Sequence, residues 1–185
     1  MALVLELPLK DRNVLKALRA GDSVLVSGTL YTGRDAAHKR LCALLARGEE
    51  LPIPLQGQGI YYTGPAPAPA GHVIGACGPT TSYRMDAYAP ALLERGLAVM
   101  IGKGLRSEEV RRACVQCGAV YLAAPGGAGA YLASCVRACE VVAFDDLGTE
   151  AIHRLTVENM ALTVAIDTQG ENLYEIGRQR YRQEA

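Results

Sequence analysis

The arrangement of this chain is decided by the stretch Gly75-Ala-Cys-Gly-Pro-Thr-Thr-Ser-Tyr-Arg-Met-Asp86. A predicted strand over residues 72–75 runs into a Gly-Pro break, and a predicted helix over residues 85–94 follows it. Pro79 has no N–H and a fixed φ, so it suits the turn immediately before a helix. The stretch therefore predicts a strand–turn–helix unit around which neighbouring elements pack.

Three hydroxyl residues and an arginine give this turn its chemical character. Thr80, Thr81 and Ser82 are expected to cap the helix, which leaves first-turn N–H groups free to hold an anion. Arg84 lies in the same turn, where the helix dipole disfavours a cation. A cation beside free amides makes a carboxylate or phosphate clamp, and the structural alternative is a capped helix with a solvated arginine.

Outward from the turn, apolar and polar runs alternate as strands and helices. The predicted strands cover residues 3–7, 23–27, 60–63, 97–101, 119–123, 141–144, 153–157 and 162–167. The predicted helices cover residues 11–20, 36–46, 107–117 and 128–137, with a polar helical tail after Gly170. The alternation indicates parallel βαβ units in one α/β domain, residues 1–185, with three layers and a mixed sheet.

Composition excludes several classes of function. Half of the residues are apolar, which excludes disorder, and 19 basic residues balance 19 acidic ones. Bulk charge therefore gives no support for a nucleic-acid or anionic-membrane partner. No apolar run approaches the ~18 residues of a membrane helix, and the first residues do not resemble a signal peptide. We expect a cytoplasmic protein.

Six cysteines, at positions 42, 77, 114, 117, 135 and 139, are expected to be free thiols. Cys114 and Cys117 form a CxxC pair late in a predicted helix, without a second pair, so no metal site is predicted. Cys135 and Cys139 are four residues apart and are expected to share one helix face. Residues 125–129 (Pro-Gly-Gly-Ala-Gly) do not match a dinucleotide-binding loop, and NAD is not predicted.

Three loops supply the candidate site residues, namely Thr32–His38, Gly78–Arg84 and Gly102–Gly104. Each follows a predicted strand, and open α/β sheets gather ligands outside the carboxyl ends of their strands. The loops offer the cations Arg34, Arg84 and Lys103, with His38 nearby. A dicarboxylate carries two negative charges and needs at least two fixed cations, so these residue types suit a small dianionic substrate.

The motifs around these cations resemble those of the β subunit of class I fumarase. The likeness includes the Gly-Pro-Thr-Thr-x-x-Arg-Met-Asp motif, residues 27–41 (Ser-Gly-Thr-Leu-Tyr-Thr-Gly-Arg-Asp-Ala-Ala-His-Lys-Arg-Leu), Met100-Ile-Gly-Lys-Gly104 and Phe144-Asp-Asp-Leu-Gly-Thr-Glu150. The same motifs are similar to the C-terminal domain of single-chain class I fumarases and to the β subunit of L-tartrate dehydratase. The resemblance implies a swivelling β/β/α domain.

The resemblance also implies roles for individual residues. It implies that Arg34, Arg84 and Lys103 hold the substrate, and that Thr80 acts as the base at the carbon next to a carboxylate. A hydroxyl is a poor base unless charge stabilises its alkoxide, which Lys103 could supply, so Lys103 is also a catalytic candidate. Thr81 and His38 complete the predicted substrate-binding set.

The resemblance further implies a cofactor and a partner. Class I fumarases use a [4Fe–4S] cluster whose open iron acts as a Lewis acid, and in two-subunit members the cluster cysteines lie on the α subunit. The cysteines here match no cluster-binding pattern. The implied protein is the β half of a fumarate–malate hydro-lyase in an α2β2 or dimeric assembly. The alternatives are a tartrate dehydratase β subunit and a non-catalytic anion-binding or regulatory module.

Overall fold

The computed structural model describes residues 3–182, which contain a seven-stranded mixed sheet. Its strands are Leu3–Leu7 (β1), Ser23–Thr32 (β2), Gly59–Tyr61 (β3), Val99–Gly102 (β4), Val120–Ala123 (β5), Val136–Ala143 (β6) and Ile152–Ile166 (β7). The order is β1-β2-β3-β4-β5-β7-β6, with β1 to β5 parallel and β7 antiparallel to β2, β5 and β6. Because β7 pairs with both β5 and β2, five of the strands close into a barrel-like sheet.

Helices cover the sheet and connect its strands. The α-helices are Asp35–Ala46 (α1), Ala89–Glu94 (α2), Glu108–Cys117 (α3), Gly129–Ser134 (α4) and Leu173–Tyr181 (α5), and 3₁₀ helices span Arg12–Ala17, Ser82–Met85 and Asp145–Glu150. Within residues 3–182, no helix has the length and apolar content needed to cross a membrane. The α/β class with a mixed sheet is confirmed, while the swivelling β/β/α type and the single domain stay predictions.

The central strands are buried on both faces, as their continuous apolar sequence predicts. Every residue of β4 is buried, and its side chains alternate between two apolar clusters. Val99 and Ile101 join one cluster with Leu30 and Leu122, whereas Met100 faces the other, under α1 to α3. This two-sided core fixes the position of the loop that follows β4.

Two strands extend beyond their predicted ends, because each continues through a residue with a left-handed backbone conformation. Gly28 has a φ of 94° at a register shift in the pairing of β2 with β7, so the strand continues to Thr32 instead of ending at residue 27. Asn159 has a φ of 51° within β7, which is one strand rather than the two predicted neighbours. Glycine and asparagine tolerate this left-handed conformation, so neither residue ends its strand.

Three other predictions of local structure were wrong. Residues 72–75 form no strand, because Gly75 donates to the carbonyl of Ala66, 3.2 Å away, and packs against the backbone of Ala66 and Pro67. The predicted helix over residues 85–94 is divided, since Pro90 suits only the first turn of α2. Helix α4 ends at Ser134, so Cys139 lies in β6 and shares no helix face with Cys135.

Candidate active site

Three of the sheet's parallel strands end side by side at the edge where the candidate residues lie. Strands β2, β3 and β4 are consecutive neighbours, and their carboxyl ends are Thr32, Tyr61 and Gly102. The loop with Arg34 follows β2, and Lys103 follows β4. The structure therefore brings the predicted loops to one edge, the position at which α/β sheets bind ligands.

The segment with Thr80 and Thr81 is fixed to this edge by its backbone. Thr81 pairs with Lys103 as an isolated parallel bridge. The Thr80 amide donates to the Tyr62 carbonyl at 2.6 Å, and the Ser82 amide donates to the Lys103 carbonyl at 2.9 Å. The segment thus continues the sheet for one bridge, and Thr80 and Thr81 lie next to Lys103.

This arrangement changes which groups of the predicted anion site at a helix terminus are available to a ligand. The amides of Thr80 and Ser82 are occupied by carbonyl groups. Thr81 is the N-cap of the 3₁₀ helix Ser82–Met85 but makes no side-chain capping bond. Thr80 and Thr81 are half-buried, so their hydroxyls are available to a ligand, whereas the amides of Thr80 and Ser82 are not.

A close backbone approach makes Gly102 necessary beside this segment. A β-carbon added at Gly102 would lie 2.0 Å from Oγ of Ser82 and 2.9 Å from Cδ2 of Tyr62. Ser82 is fully buried, and its hydroxyl is 2.9 Å from the hydroxyl of Tyr121. The Tyr121 hydroxyl donates to the carbonyl of Gly104 at 3.0 Å, so it links the residue after Lys103 to the segment that contains Ser82.

A buried ion pair joins the segment that follows Thr80 and Thr81 to the segment that follows Lys103. The side chain of Arg106 is completely buried, and its Nε donates to Oδ1 of Asp86 at 2.6 Å. Its guanidinium lies 5.2 Å from the ring centroid of Tyr62 and 5.0 Å from that of Tyr121, within the range of cation–π attraction. Arg106 is not among the residues predicted from the sequence, although Asp86 closes the motif that opens with Gly78.

The two candidate arginines lie in one cluster with two carboxylates. Nε of Arg84 donates to Oδ1 of Asp35 at 2.8 Å. Nη2 of Arg34 lies 3.2 Å from Oε1 of Glu150, and Nε of Arg34 lies 3.9 Å from Oδ2 of Asp35. Asp35 follows Arg34 directly in sequence, and Glu150 ends the Phe144–Glu150 motif, but spacing alone does not pair either carboxylate with an arginine.

His38 is separated from the other candidates by burial. It is fully buried in α1, where Nδ1 donates to the carbonyl of Arg34 at 2.9 Å. Its ring packs edge-on against Tyr62 with the centroids 5.2 Å apart, and Nε2 has no hydrogen-bond partner in the described structure. Burial lowers the pKa of His38 to about 4, so the ring is neutral near pH 7. His38 contributes no cation to this edge.

The cysteines have the character of packed thiols. All six are free, and residues 3–182 contain no group of three or more His, Cys, Asp or Glu side chains placed to hold a metal ion. Burial raises the pKa of Cys77 and of Cys114 to about 12, and it also raises the pKa of Cys117. Metal ligation requires the thiolate, which these environments disfavour.

Comparison with known proteins gives one family. A family model described as "Fumarase C-terminus" matches residues 3–177. The anaerobic class I fumarate hydratase of Escherichia coli K12 is 40% identical over 152 residues, which cover 81% of this chain and 28% of that protein. A protein of Geobacillus stearothermophilus with the name "Putative fumarate hydratase class I" is 34% identical over 178 residues, covering 94% of this chain and 34% of the relative.

A third relative is close to this chain in length. A Methanocaldococcus jannaschii protein with the name "Putative L(+)-tartrate dehydratase subunit beta" is 38% identical over 167 residues. The match covers 87% of this chain and 86% of that subunit. The chain therefore spans about a third or less of the two fumarate hydratases but most of the dehydratase subunit.

Proposed function

This chain belongs to the fumarase C-terminus family, and from that membership we propose that it is the β subunit of a two-subunit hydro-lyase. In this proposal the subunit binds the carboxylates of a 2-hydroxy dicarboxylate and supplies the base, and its domain is of the swivelling β/β/α type. The preferred reaction interconverts fumarate and (S)-malate.

One observation carries the proposal. The parallel bridge between Thr81 and Lys103 sets a hydroxyl segment beside an exposed cation at the strand-end edge. The loop after β2, two strands away from β4, adds Arg34, which shares Asp35 with Arg84. Hydroxyls and several cations at one edge suit the binding of a dianion next to a proton-transfer group.

In the proposed reaction, Arg84, Lys103 and Thr80 have different roles. Arg84 and Lys103 bind carboxylate groups through charge-assisted hydrogen bonds. Thr80 removes the proton from the carbon next to a carboxylate, while hydroxide leaves the neighbouring carbon and the double bond forms between them. Lys103 stabilises the alkoxide form of Thr80, without which a hydroxyl is too weak a base at neutral pH.

The [4Fe–4S] cluster of this reaction class does not fit the present chain. The buried thiols at Cys77 and Cys114, with pKa values near 12, are unsuited to cluster ligation, and the described residues contain no group of three ligands. We assign the cluster to a separate α subunit, in an α2β2 or dimeric assembly. This division follows the name "subunit beta" of the tartrate dehydratase relative.

Tartrate is the second candidate substrate. The relative named for L(+)-tartrate dehydratase is 38% identical to this chain over 167 residues, close to the 40% of the matched Escherichia coli fumarate hydratase. Tartrate and malate are both 2-hydroxy dicarboxylates, so the same cations can bind either. A non-catalytic anion-binding module is the third possibility, and it would show no turnover of either acid.

The direct test is an assay of the assembled enzyme. The chain is co-expressed anaerobically with the product of an adjacent reading frame that carries three cluster cysteines, and dehydration of (S)-malate and L(+)-tartrate is measured. We expect kcat/KM for malate to exceed that for tartrate by at least tenfold. The reverse ratio would identify a tartrate dehydratase, and turnover of neither acid would refute the hydro-lyase proposal.

A further inference from the structure

We propose that Tyr174, in the first turn of α5, is a positioning residue for Lys103, and that Tyr121 in β5 holds the same loop from its other side. Both tyrosines act through the backbone next to Lys103 rather than on the substrate. The inference rests on the proposed function of Lys103, and it gives α5 a part in the reaction.

The direction of the Lys103 side chain is set by the two peptide planes that flank its α-carbon. A peptide unit is planar, so contacts at both of its polar groups fix its orientation. In the plane before Lys103, the carbonyl of Gly102 accepts from the amide of Ala124 at 2.8 Å. The amide of this plane belongs to Lys103 and donates to the carbonyl of Thr80 at 3.4 Å. Neighbouring backbone segments therefore hold the first plane.

The plane after Lys103 depends on a side chain. Its carbonyl belongs to Lys103 and accepts from the amide of Ser82 at 2.9 Å. Its amide belongs to Gly104 and donates to the hydroxyl of Tyr174 at 3.1 Å. Tyr174 thus makes the one side-chain contact among the four that fix φ and ψ of Lys103, and loss of its hydroxyl frees one end of this plane.

Tyr121 holds the next peptide unit. Its hydroxyl lies 3.0 Å from the carbonyl of Gly104 and 2.9 Å from the hydroxyl of Ser82. A carbonyl only accepts, so the Tyr121 proton is directed to Gly104 and the Ser82 hydroxyl donates to the phenol oxygen. Burial raises the pKa of Tyr121 above its ordinary value, so the phenol remains a donor near pH 7. The Gly104 backbone is therefore held by one tyrosine at its amide and by the other at its carbonyl.

Tyr174 reaches Gly104 from a position that is itself fixed. The amide of Tyr174 donates to Oδ1 of Asn172, the buried N-cap of α5, at 3.1 Å. Asn172 also forms an isolated antiparallel bridge with Ile166, the last residue of β7. The half-buried ring of Tyr174 packs on the apolar cluster that includes Met100. The first turn of α5 is thus attached to the sheet that carries the candidate edge.

Backbone restraint matters here because of the kind of side chain that Lys103 has. Lysine carries its charge on a flexible four-carbon stem with high rotamer entropy. Lys103 is exposed, so packing does not fix the end of its side chain. A fixed α-carbon confines the ammonium to the region beside Thr80 and Thr81, where the proposed reaction requires its charge.

The test is a double-mutant cycle in the assembled enzyme. We expect Tyr174→Phe to lower kcat/KM by about five- to tenfold, because a hydrogen bond to the lysine loop is lost. In a Lys103→Ala background the same substitution should change kcat/KM less than twofold, since the group that it positions is gone. The matched control is Tyr131→Phe, which removes a phenol hydroxyl from a half-exposed tyrosine of α4 and should leave kcat/KM unchanged.

Tyr121→Phe should show the same dependence on Lys103. Because its hydroxyl is buried, this variant is also expected to melt at a lower temperature, so kinetic constants are compared below the melting temperature of every variant. If Tyr121→Phe does not fold, the half-buried Tyr174→Phe variant decides the question by itself.

The outcomes separate failure of this inference from failure of the proposed function. If Lys103→Ala lowers kcat/KM while Tyr174→Phe behaves like Tyr131→Phe, the positioning role is wrong and the proposed role of Lys103 stands. An equal loss for Tyr174→Phe with and without Lys103 would indicate a general structural effect and would overturn the inference. If Lys103→Ala has no effect, the proposed role of Lys103 is wrong, and the inference fails with it.

A readout independent of activity observes the Gly104 amide in the full chain. Lys103 is the one lysine of the sequence that precedes a glycine. Labelling lysine carbonyls with ¹³C and glycine nitrogens with ¹⁵N therefore gives a single Lys–Gly signal in an HNCO spectrum, that of the Gly104 amide. Its exchange with water should be at least fivefold faster in Tyr174→Phe than in the wild type and in Tyr131→Phe, because the acceptor is lost. An unchanged exchange rate would show that Tyr174 does not hold the loop, and the inference would be overturned.

Discussion

At the scale of single residues, Thr80 combines a fixed backbone with a free side chain. Its amide donates to Tyr62, and its carbonyl accepts from the Lys103 amide at 3.4 Å. Among residues 3–182 its hydroxyl forms no hydrogen bond, so the side chain serves neither as a cap nor as a structural tie. A hydroxyl held in place but not used by the fold is available for proton transfer.

Substitution of Thr80 by alanine should therefore affect turnover rather than binding. We expect kcat of the assembled enzyme to fall by roughly two to four orders of magnitude, with KM changed less than threefold. Thr80→Ser keeps the hydroxyl and should retain most of the activity. Exchange of the malate methylene proton, followed by NMR in D₂O, should fall in parallel with kcat. Near-normal kcat and proton exchange in Thr80→Ala would show that Thr80 is not the base.

Lys103 should affect both kinetic constants. Its side chain is exposed beside the threonines, and the described residues give it no ion-pair partner. Lys103→Ala removes a charge-assisted contact worth ~1.5–3 kcal/mol, so KM should rise about tenfold or more. Loss of the charge that stabilises the Thr80 alkoxide should lower kcat as well. A rise in KM with an unchanged kcat would limit Lys103 to substrate binding.

His38 should make stability depend on pH. Its pKa is about 4 in the folded chain, because burial disfavours the charged ring, against an ordinary value of 6.5. Above pH 6.5 the ring is neutral in both the folded and the unfolded chain, and its contribution to stability is fully present. As the pH falls from 6.5 toward 4, only the unfolded chain gains the proton, so the free energy of unfolding decreases by up to ~1.4 kcal/mol per pH unit. Urea titrations at several pH values should show that the free energy of unfolding depends less on pH between 6.5 and 4 in His38→Asn than in the wild type. The asparagine side chain can still donate a hydrogen bond to the Arg34 carbonyl. Equal slopes would contradict the buried, neutral assignment.

At the scale of secondary-structure elements, local sequence predicts the self-contained units best. Helix α3 was predicted to within one residue, because Ser107 caps it, accepting from the Val110 amide at 3.4 Å, and Gly118 ends it with a φ of 60°. The order of strands and helices through β5 follows from the same apolar alternation, except at residues 72–75, which form no strand, and at the divided helix over residues 85–94. Sequence failed where a distant partner decides the outcome, as when pairing with β7 carries β2 past Gly28.

The same distinction applies to the site. The strand-end rule placed Arg34 and Lys103 at one edge, which the parallel neighbours β2, β3 and β4 confirm. The partners Asp35 and Glu150 could not be predicted, because their contacts to Arg84 and Arg34 cross 49 and 116 positions of sequence that only the folded chain brings together. Burial of His38 depends on helix–sheet packing in the same way.

The CxxC pair contributes to the packing of α3, so substitution of both cysteines should leave catalytic activity nearly unchanged. Cys114 is fully buried and Cys117 is half-buried, and neither follows a strand at the candidate edge. Replacing both by alanine should cost ~1 kcal/mol of unfolding free energy from the lost packing and leave the activity of the assembled enzyme within a few-fold of wild type. Loss of a stoichiometric metal, or of most activity at unchanged stability, would show that the CxxC pair is a functional site.

At the scale of the whole molecule, long-range contacts close the sheet on which the candidate edge is built. The pairing of β2 with β7 closes the sheet. At the opposite edge, Nη2 of Arg12 donates to the carbonyl of Cys117 at 2.8 Å, which stabilises the end of α3. The edge with Thr80, Lys103 and Arg84 is thus built on strands with a common core. We propose that such a preformed half-site is completed by a cluster-bearing subunit.

The most direct measurement compares turnover of (S)-malate by the purified chain, by its α subunit and by the anaerobic mixture of the two. The chain alone should fold, show no iron–sulfur absorbance and give no turnover. The mixture should give turnover that saturates at an equimolar ratio and is abolished when the chain carries Thr80→Ala. Significant turnover by the reconstituted chain alone, or full turnover by the α subunit without it, would contradict the account of this protein as half of an active site.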